Sequence, residues 1–301
     1  MSIIEMLRHR LANGVRVNEL MANHTSWQVG GPADYYVCPV GLVELVAVLS
    51  ACSETRIPYF VIGNGTNLLV LDGGIRGIVI NIGTSFSYIK PAGEKLVVGA
   101  GTPMTLLAFT AAEESLSGLE FTVGIPGSLG GAVIMNAGAF GGYIGDKISL
   151  VRLVDSEGKL VEKRRGELEF GYRTSNLIGK GVVYEVELEL AWGDQMESKR
   201  LINNFLTERR RRHPNLPSAG SVFRNLAEQP AGRIIEQAGA KGMRIGGAEV
   251  STQHANFIVN SGKATAADVL NLIKKVQELV KEQFDIELKP EVKIVGEESV
   301  G

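Results

Sequence analysis

Residues 59–74 read YFVIGNGTNLLVLDGG. An apolar run meets Gly63 and Gly65, and a second apolar run follows. A dinucleotide fingerprint needs G-x-G-x-x-G opening a helix. Here the third glycine position is Leu68, and LLVLDGG is too short for a helix and ends in a turn signal. The pattern predicts strand, glycine loop, strand, which excludes a Rossmann unit at this point. Gly63, Asn64, Gly65, Thr66 and Asn67 still have what a phosphate needs: close backbone approach, exposed N–H groups and short polar side chains. Taken alone, the same loop is also the form of an ordinary turn.

The chain has 301 residues, enough for two or three domains with a sizeable core. Its 37 glycines exceed the usual ~7 % and sit in discrete loops without a collagen period. A formal net charge of −2 gives no global field toward nucleic acid or membrane. Cys38 and Cys52 lie in apolar segments and read as reduced packing residues. The start, MSIIEMLRHRLANG, lacks a signal-peptide core, and no run of ~18 apolar residues occurs. A cytoplasmic protein with no membrane partner is expected.

Helix is expected over 1–22, 40–54, 103–116, 196–212, 230–238 and 266–284. Strands are expected at 59–62, 77–82, 148–155, 159–163, 247–250 and 256–260. Over 183–191, Tyr184, Val186, Leu188 and Leu190 alternate with Glu185, Glu187 and Glu189, the pattern of a half-buried strand. Thr265 with Asp268 forms a capping-box signature before the last long helix. The tail IELKPEVKIVG reads as a strand returning to the body. A boundary is expected near 195–215, where Pro214 and Pro217 follow a basic run.

A second glycine-rich stretch, GIPGSLGGAVIMNAGAFGG, covers 124–142. Gly124, Gly127, Gly130 and Gly131 leave a long backbone without side chains, able to line a flat ring or a pyrophosphate. Two such loops, neither in a Rossmann context, suggest one large nucleotide cofactor held along its length. Two structural turns are the alternative.

The motifs HTSWQVGG, GNGTNLL, GIPGSLGGAV with NAGAFGG, FGYRTS, SAGSVFRN and KPEV follow one another in order. Together they resemble the bacterial UDP-N-acetylenolpyruvoylglucosamine reductases, over about residues 23–296. The two loops resemble the FAD-binding fold of the vanillyl-alcohol-oxidase (PCMH) type. The direct step from FGYRTS to SAGSVFRN resembles the family's shorter type II form. The resemblance implies an α+β chain in three parts. These are a small FAD-binding subdomain (1–83, with 287–301 returning to it), a β-rich FAD-binding subdomain (84–200) and a substrate-binding domain (201–286).

It also implies a reaction. NADPH reduces a bound, non-covalent FAD, and hydride passes to C3 of the enolpyruvyl group of UDP-N-acetylglucosamine enolpyruvate. A proton reaches C2, giving UDP-N-acetylmuramate for peptidoglycan and cell-wall synthesis. Such chemistry needs a cation on the carboxylate and an acid over C2. Arg173 matches the family arginine that polarises the carboxylate, Glu291 the glutamate near it, and Ser221 the proton donor. Tyr172, Asn225 and His254 match substrate-contacting positions. The FAD contacts implied are Gly63, Asn64, Gly65, Thr66, Asn67 and Leu68 in the first loop. In the second they are Gly124, Ile125, Pro126, Gly127, Ser128, Gly130, Gly131, Ala132, Asn136, Ala137 and Gly138. No His/Cys cluster has metal-ligand spacing, and a monomer is expected.

Three features stand apart. The run Arg209–His213 reads first as a solvated helix end, then as a diphosphate contact, and last as a nucleic-acid patch, for which interleaved aromatics are missing. After Ser221 the chain reads VFRNLAEQP, where the family often has Phe-Lys-x-Pro, a departure that bears on the expected loop geometry and not on the identity of Ser221. Two other classes share parts of the pattern. An electron-transfer subunit would share the FAD loops but need no substrate acid. An oxidase of another small acid would often link its flavin covalently through His or Cys. His24 carries no sign of that role.

Overall fold

The structure is a computed structural model that describes residues 3–299. The chain folds into two compact units. The first comprises the chain up to Val17, Tyr35–Gly63 and Gly77–Arg209. The second comprises Asn18–Asp34, Asn64–Arg76 and the chain from Arg210 onward.

In the first unit, helices α1 (Ile3–Arg8) and α2 (Leu42–Thr55) precede the strand Tyr59–Ile62, which pairs in parallel with Ile75–Asn81. A five-stranded antiparallel sheet follows, in the order Leu160–Arg164, Ile148–Val154, Val182–Glu189, Lys95–Gly99, Ile89–Ala92. On its central strand Val186 and Leu188 are buried, while Glu185 and Glu187 pair with Arg152 and Lys95 on the other face. The period-two pattern thus sets which face meets the core. Helices α3 (Met104–Glu113), α4 (Leu129–Ile134) and α5 (Gln195–Arg212) complete the unit. One core, from Leu7 to Leu190, serves both sheets.

The second unit packs α6 (Ala231–Gln237) and α7 (Ala266–Phe284) on a three-stranded sheet of Arg244–Ile245, Ala248–Val250 and Ile258–Asn260. Thr265 and Asp268 cap α7 reciprocally, each side chain accepting from the other's N–H at 3.0 Å. Asp72, at the end of the quoted stretch, accepts from Ala266 and Ala267 N–H at 2.9 and 2.8 Å. Trp27 is fully buried, and its Nε1 donates to Ile258 O at 2.7 Å. The returning tail forms a strand, Lys293–Val295, parallel to Leu68–Val70.

One expectation fails. Of residues 3–22 only Ile3–Arg8 is α-helical; Arg16–Leu20 is a strand and Met21–His24 a 3-10 turn. The helix stops at Arg8, before Gly14 at φ 64°, and sheet pairing decides the conformation of Arg16–Leu20 against the helical reading. Residues 1 and 2 lie outside the described part.

Candidate active site

The stretch 59–74 is strand, loop, strand, with no helix. Gly63 closes the first strand in the first unit, and Asn64–Leu68 belong to the second. Gly65 adopts φ 61°, and a Cβ there would lie 2.0 Å from His24 O. A Cβ on Gly63 would come within 2.3 Å of Ser128 Oγ, so glycine leaves that hydroxyl reachable. The N–H groups of Asn64 and Gly65 make no hydrogen bond among the described residues. Leu68 and Asn67 continue into the pairing with the tail, where Lys293 N–H donates to Asn67 O at 3.0 Å.

The second loop is pinned from behind. Leu129 and Gly130 donate to Thr102 O and Ala100 O at 2.9 and 2.8 Å, and Ile125 donates to Thr122 O. Gly127 O accepts from Met104, and Ala137 closes back on Ala132 O at 2.8 Å. Gly130 sits against Ala100, where a Cβ would lie 3.0 Å from the alanine methyl. Gly131 differs: it is exposed, and a Cβ there would meet only Ser128 Oγ at 3.9 Å. Packing therefore asks for no glycine at 131, although glycine in a helix costs about 1 kcal/mol relative to alanine. The side chain is absent where open space faces out. Gly124 is filled by a neighbour instead, since its Cβ would lie 1.9 Å from Arg209 Cδ.

Tyr172 and Arg173 form the two-residue tip of a hairpin pairing Phe170–Gly171 with Thr174–Ser175. Arg173 has φ 56°, a conformation that costs a non-glycine residue roughly 1–2 kcal/mol. Its Nη2 donates to Gly138 O at 3.4 Å, and its guanidinium lies 5.1 Å from the Tyr172 ring centre. Asn136 is buried, donates to Gly171 O and accepts from Gly145 N–H, both at 3.0 Å. Its amide thus ties the Arg173 hairpin to the second glycine loop. Ser175 adds a bond to Ile134 O at 2.8 Å.

In the second unit, the segment carrying Ser221 runs between two others. Val222 N–H donates to Asn256 O at 2.8 Å, and Glu291 N–H donates to Val222 O at 2.7 Å. Asn256, 2 % exposed, holds both polar groups of Phe223 through its amide. Asn67 Nδ2 reaches Glu291 O at 3.4 Å. Ser221, Glu291 and Asn67 are therefore gathered on neighbouring segments, although 224 residues separate Asn67 from Glu291. Asn225 accepts from Ala231 N–H at 3.1 Å at the start of α6. His254 packs edge-on against His213 and Phe257, and burial holds its imidazole below the usual value.

Sequence reasoning missed Asn256 and misjudged Arg209. Arg210, Arg211 and Arg212 are exposed as expected, but Arg209 turns inward. Burial and the nearby Arg173 push its guanidinium down to about 10. His24 Nε2 lies 2.8 Å from Glu19 Oε1. Among the described residues no group of three His, Cys, Asp or Glu could hold a metal ion, and no helix is long and apolar enough to cross a membrane.

Two glycine loops with outward space, unpaired loop N–H groups and strands on both sides of the first loop fit an FAD-binding protein. A sequence profile of FAD binding domains matches residues 33–163. A variant of Phl p 4, a glucose oxidase, shares the fold alone, at 14 % identity and a TM-score of 0.50, with 74 % of this chain and 52 % of that one covered. Within that class, the profile of the UDP-N-acetylenolpyruvoylglucosamine reductase C-terminal domain matches residues 212–295. The reductase of Heliobacterium modesticaldum is 46 % identical over 93 % of this chain and 90 % of its own. That of Clostridium tetani is 42 % identical over 99 % and 97 %. The crystal structure of the Thermus caldophilus reductase superposes with a TM-score of 0.81 at 39 % identity, covering 93 % of this chain and 99 % of that one. The chain belongs to the UDP-N-acetylenolpyruvoylglucosamine reductase family and is an oxidoreductase.

Proposed function

We propose that the protein reduces UDP-N-acetylglucosamine enolpyruvate to UDP-N-acetylmuramate with NADPH, a step of peptidoglycan precursor synthesis. The observation that carries this reading is the 2.7 Å bond from Glu291 N–H to Val222 O, which keeps an acid beside the segment of Ser221. An electron-transfer subunit has no use for such a pair.

FAD, when bound and reduced, supplies hydride for C3 of the enolpyruvyl group. Arg173 holds the substrate carboxylate, where negative charge builds as hydride arrives. A guanidinium fixed in place is worth most at that moment, because no reorganisation is needed. Asn136 and Gly138 do the fixing. Ser221 Oγ gives its proton to C2, and Glu291 stands by the same carboxylate. Tyr172, Asn225 and His254 orient the nucleotide sugar. On this reading the protein is a cytoplasmic monomer with non-covalent FAD.

The test is NADPH absorbance under anaerobic conditions with FAD-loaded protein, with and without the enolpyruvate. Substrate-dependent oxidation should fall about 10²–10⁴-fold in Ser221→Ala while NADPH still reduces the flavin. Flavin reduction with no enolpyruvate turnover in the wild type would sink the reading.

A further inference from the structure

The hydroxyl of Ser221 makes no hydrogen bond among the described residues. The residue before it, Gly220, has φ 77° and open space where a Cβ would stand. No helix or strand includes this segment. A serine after a left-handed glycine in an irregular stretch is free to turn unless its neighbours fix it. Here they are fixed from one loop.

Upstream, Asn260 N–H donates to Pro217 O at 2.9 Å, and Ser218 bridges Val259. Downstream, Asn256 makes three bonds. Its carbonyl accepts from Val222 N–H at 2.8 Å, its Oδ1 accepts from Phe223 N–H at 2.9 Å, and its Nδ2 donates to Phe223 O at 2.8 Å. Its own N–H donates to His254 Nδ1 at 3.2 Å, so every polar group of Asn256 is engaged. Residues 256–260 therefore hold the chain on either side of 219–221. On the other flank, Glu291 N–H donates to Val222 O and Arg224 N–H to Lys289 O, at 2.7 and 2.9 Å.

Apolar packing alone could anchor this segment, because Val222 and Phe223 are buried in the core of the second unit. A buried amide is tolerated only when all its polar groups are met. What the amide adds is direction, since hydrogen bonds weaken steeply with angle and packing does not. Val222 N–H belongs to the peptide that leaves Ser221, and the two bonds to Phe223 fix both peptide planes there. The backbone on which the hydroxyl turns is thus set by one side chain and its carbonyl.

We infer that Asn256 is a positioning residue for the proton donor, aiming Ser221 Oγ at C2 of the enolpyruvyl group. This rests on the reductase reading and deepens it. A misplacement of about 1 Å at a reacting group can cost on the order of a hundredfold in rate.

The experiment uses the full FAD-loaded chain as wild type, Asn256→Ala, Asn256→Asp, Ser221→Ala, and Ser221→Ala combined with each Asn256 substitution. Three quantities are measured under anaerobic conditions. They are flavin reduction by NADPH, reoxidation of the reduced flavin by UDP-N-acetylglucosamine enolpyruvate, and enolpyruvate affinity for the oxidised protein. Asn256→Ala should slow reoxidation about tenfold or more, with flavin reduction and affinity within about twofold of wild type. Asn256→Asp keeps the shape and the acceptor for Phe223 N–H and should lose less. In the Ser221→Ala background, removing Asn256 should cost no further rate, because the two act as one unit. If the alanine variant does not fold, the same readings on Asn256→Asp, alone and with Ser221→Ala, decide.

Unchanged reoxidation overturns the inference. So does a full further loss in the double variant, or a fall in affinity and flavin reduction that matches the fall in rate, since an amide that only holds the fold would give those results. Wild-type reduced flavin that the enolpyruvate does not reoxidise overturns the reductase reading, and Ser221→Ala as fast as wild type overturns the role of the serine. The inference falls with either, but through a result in which Asn256 has no part, so the failures are distinct.

Discussion

The two glycine loops look alike as sequence and differ as physics. In the first, Gly65 is demanded by the fold: φ is 61° and His24 O occupies the space of a Cβ. In the second, Gly131 is demanded by nothing within the protein, since a Cβ there meets only Ser128 Oγ at 3.9 Å. A glycine that the fold needs says little about ligands. A glycine that weakens a helix and leaves open space outside points to something that must come close.

Substitution separates the two. Gly65→Ala carries the largest expected effect, a loss of about 1–3 kcal/mol from overlap alone, with left-handed strain added. Urea unfolding of the flavin-free chain would reveal it, and an unchanged midpoint would refute the packing account. Gly131→Ala should act in the opposite sense, raising flavin-free stability by up to about 1 kcal/mol while weakening FAD. Equal effects of the two substitutions on stability would erase the distinction. Gly124→Ala is the intermediate case. It displaces the Arg209 stem rather than backbone, so stability should fall less than with Gly65→Ala.

What the sequence made legible was local. The strand Val182–Glu189 and the helix α7 are written in periods of two and 3.6 with a capping box, and both appear within a residue or two of expectation. What depended on distant partners was not legible. The strand Arg16–Leu20 was read as helix because sheet pairing, rather than local propensity, decides it. The interleaving of 18–34 and 64–76 with the C-terminal unit has no local signature. The amide of Asn136 is engaged by Gly171 O and Gly145 N–H, and the hairpin of Gly171 lies 35 residues further on, a link with no local signature. Arg209 was legible in principle. A run of arginines on a helix turns by about 100° per residue, so one of them had to continue the stripe of Ile202.

The smallest effect concerns the exit of the first loop. Asp72 and the Thr265–Asp268 pair satisfy different N–H groups of α7, so removing one leaves the other in place. Thr265→Ala should cost about 1 kcal/mol and Asp72→Ala a similar amount, and together they should add. Neither should alter FAD affinity by more than about twofold, because this end of the stretch anchors a helix. The pH dependence has a definite sign. Hydrogen bonds from Thr265 and Gly247 N–H hold the Asp268 carboxyl below its usual value of 3.8. A depressed carboxylate contributes stability that is complete above the unfolded value and is lost as pH falls through the folded one. The stability gap between wild type and Asp268→Asn should therefore be full at neutral pH and shrink as the pH drops below 3.8. A gap that instead widened in acid would mean that Asp268 does not act as a charged cap.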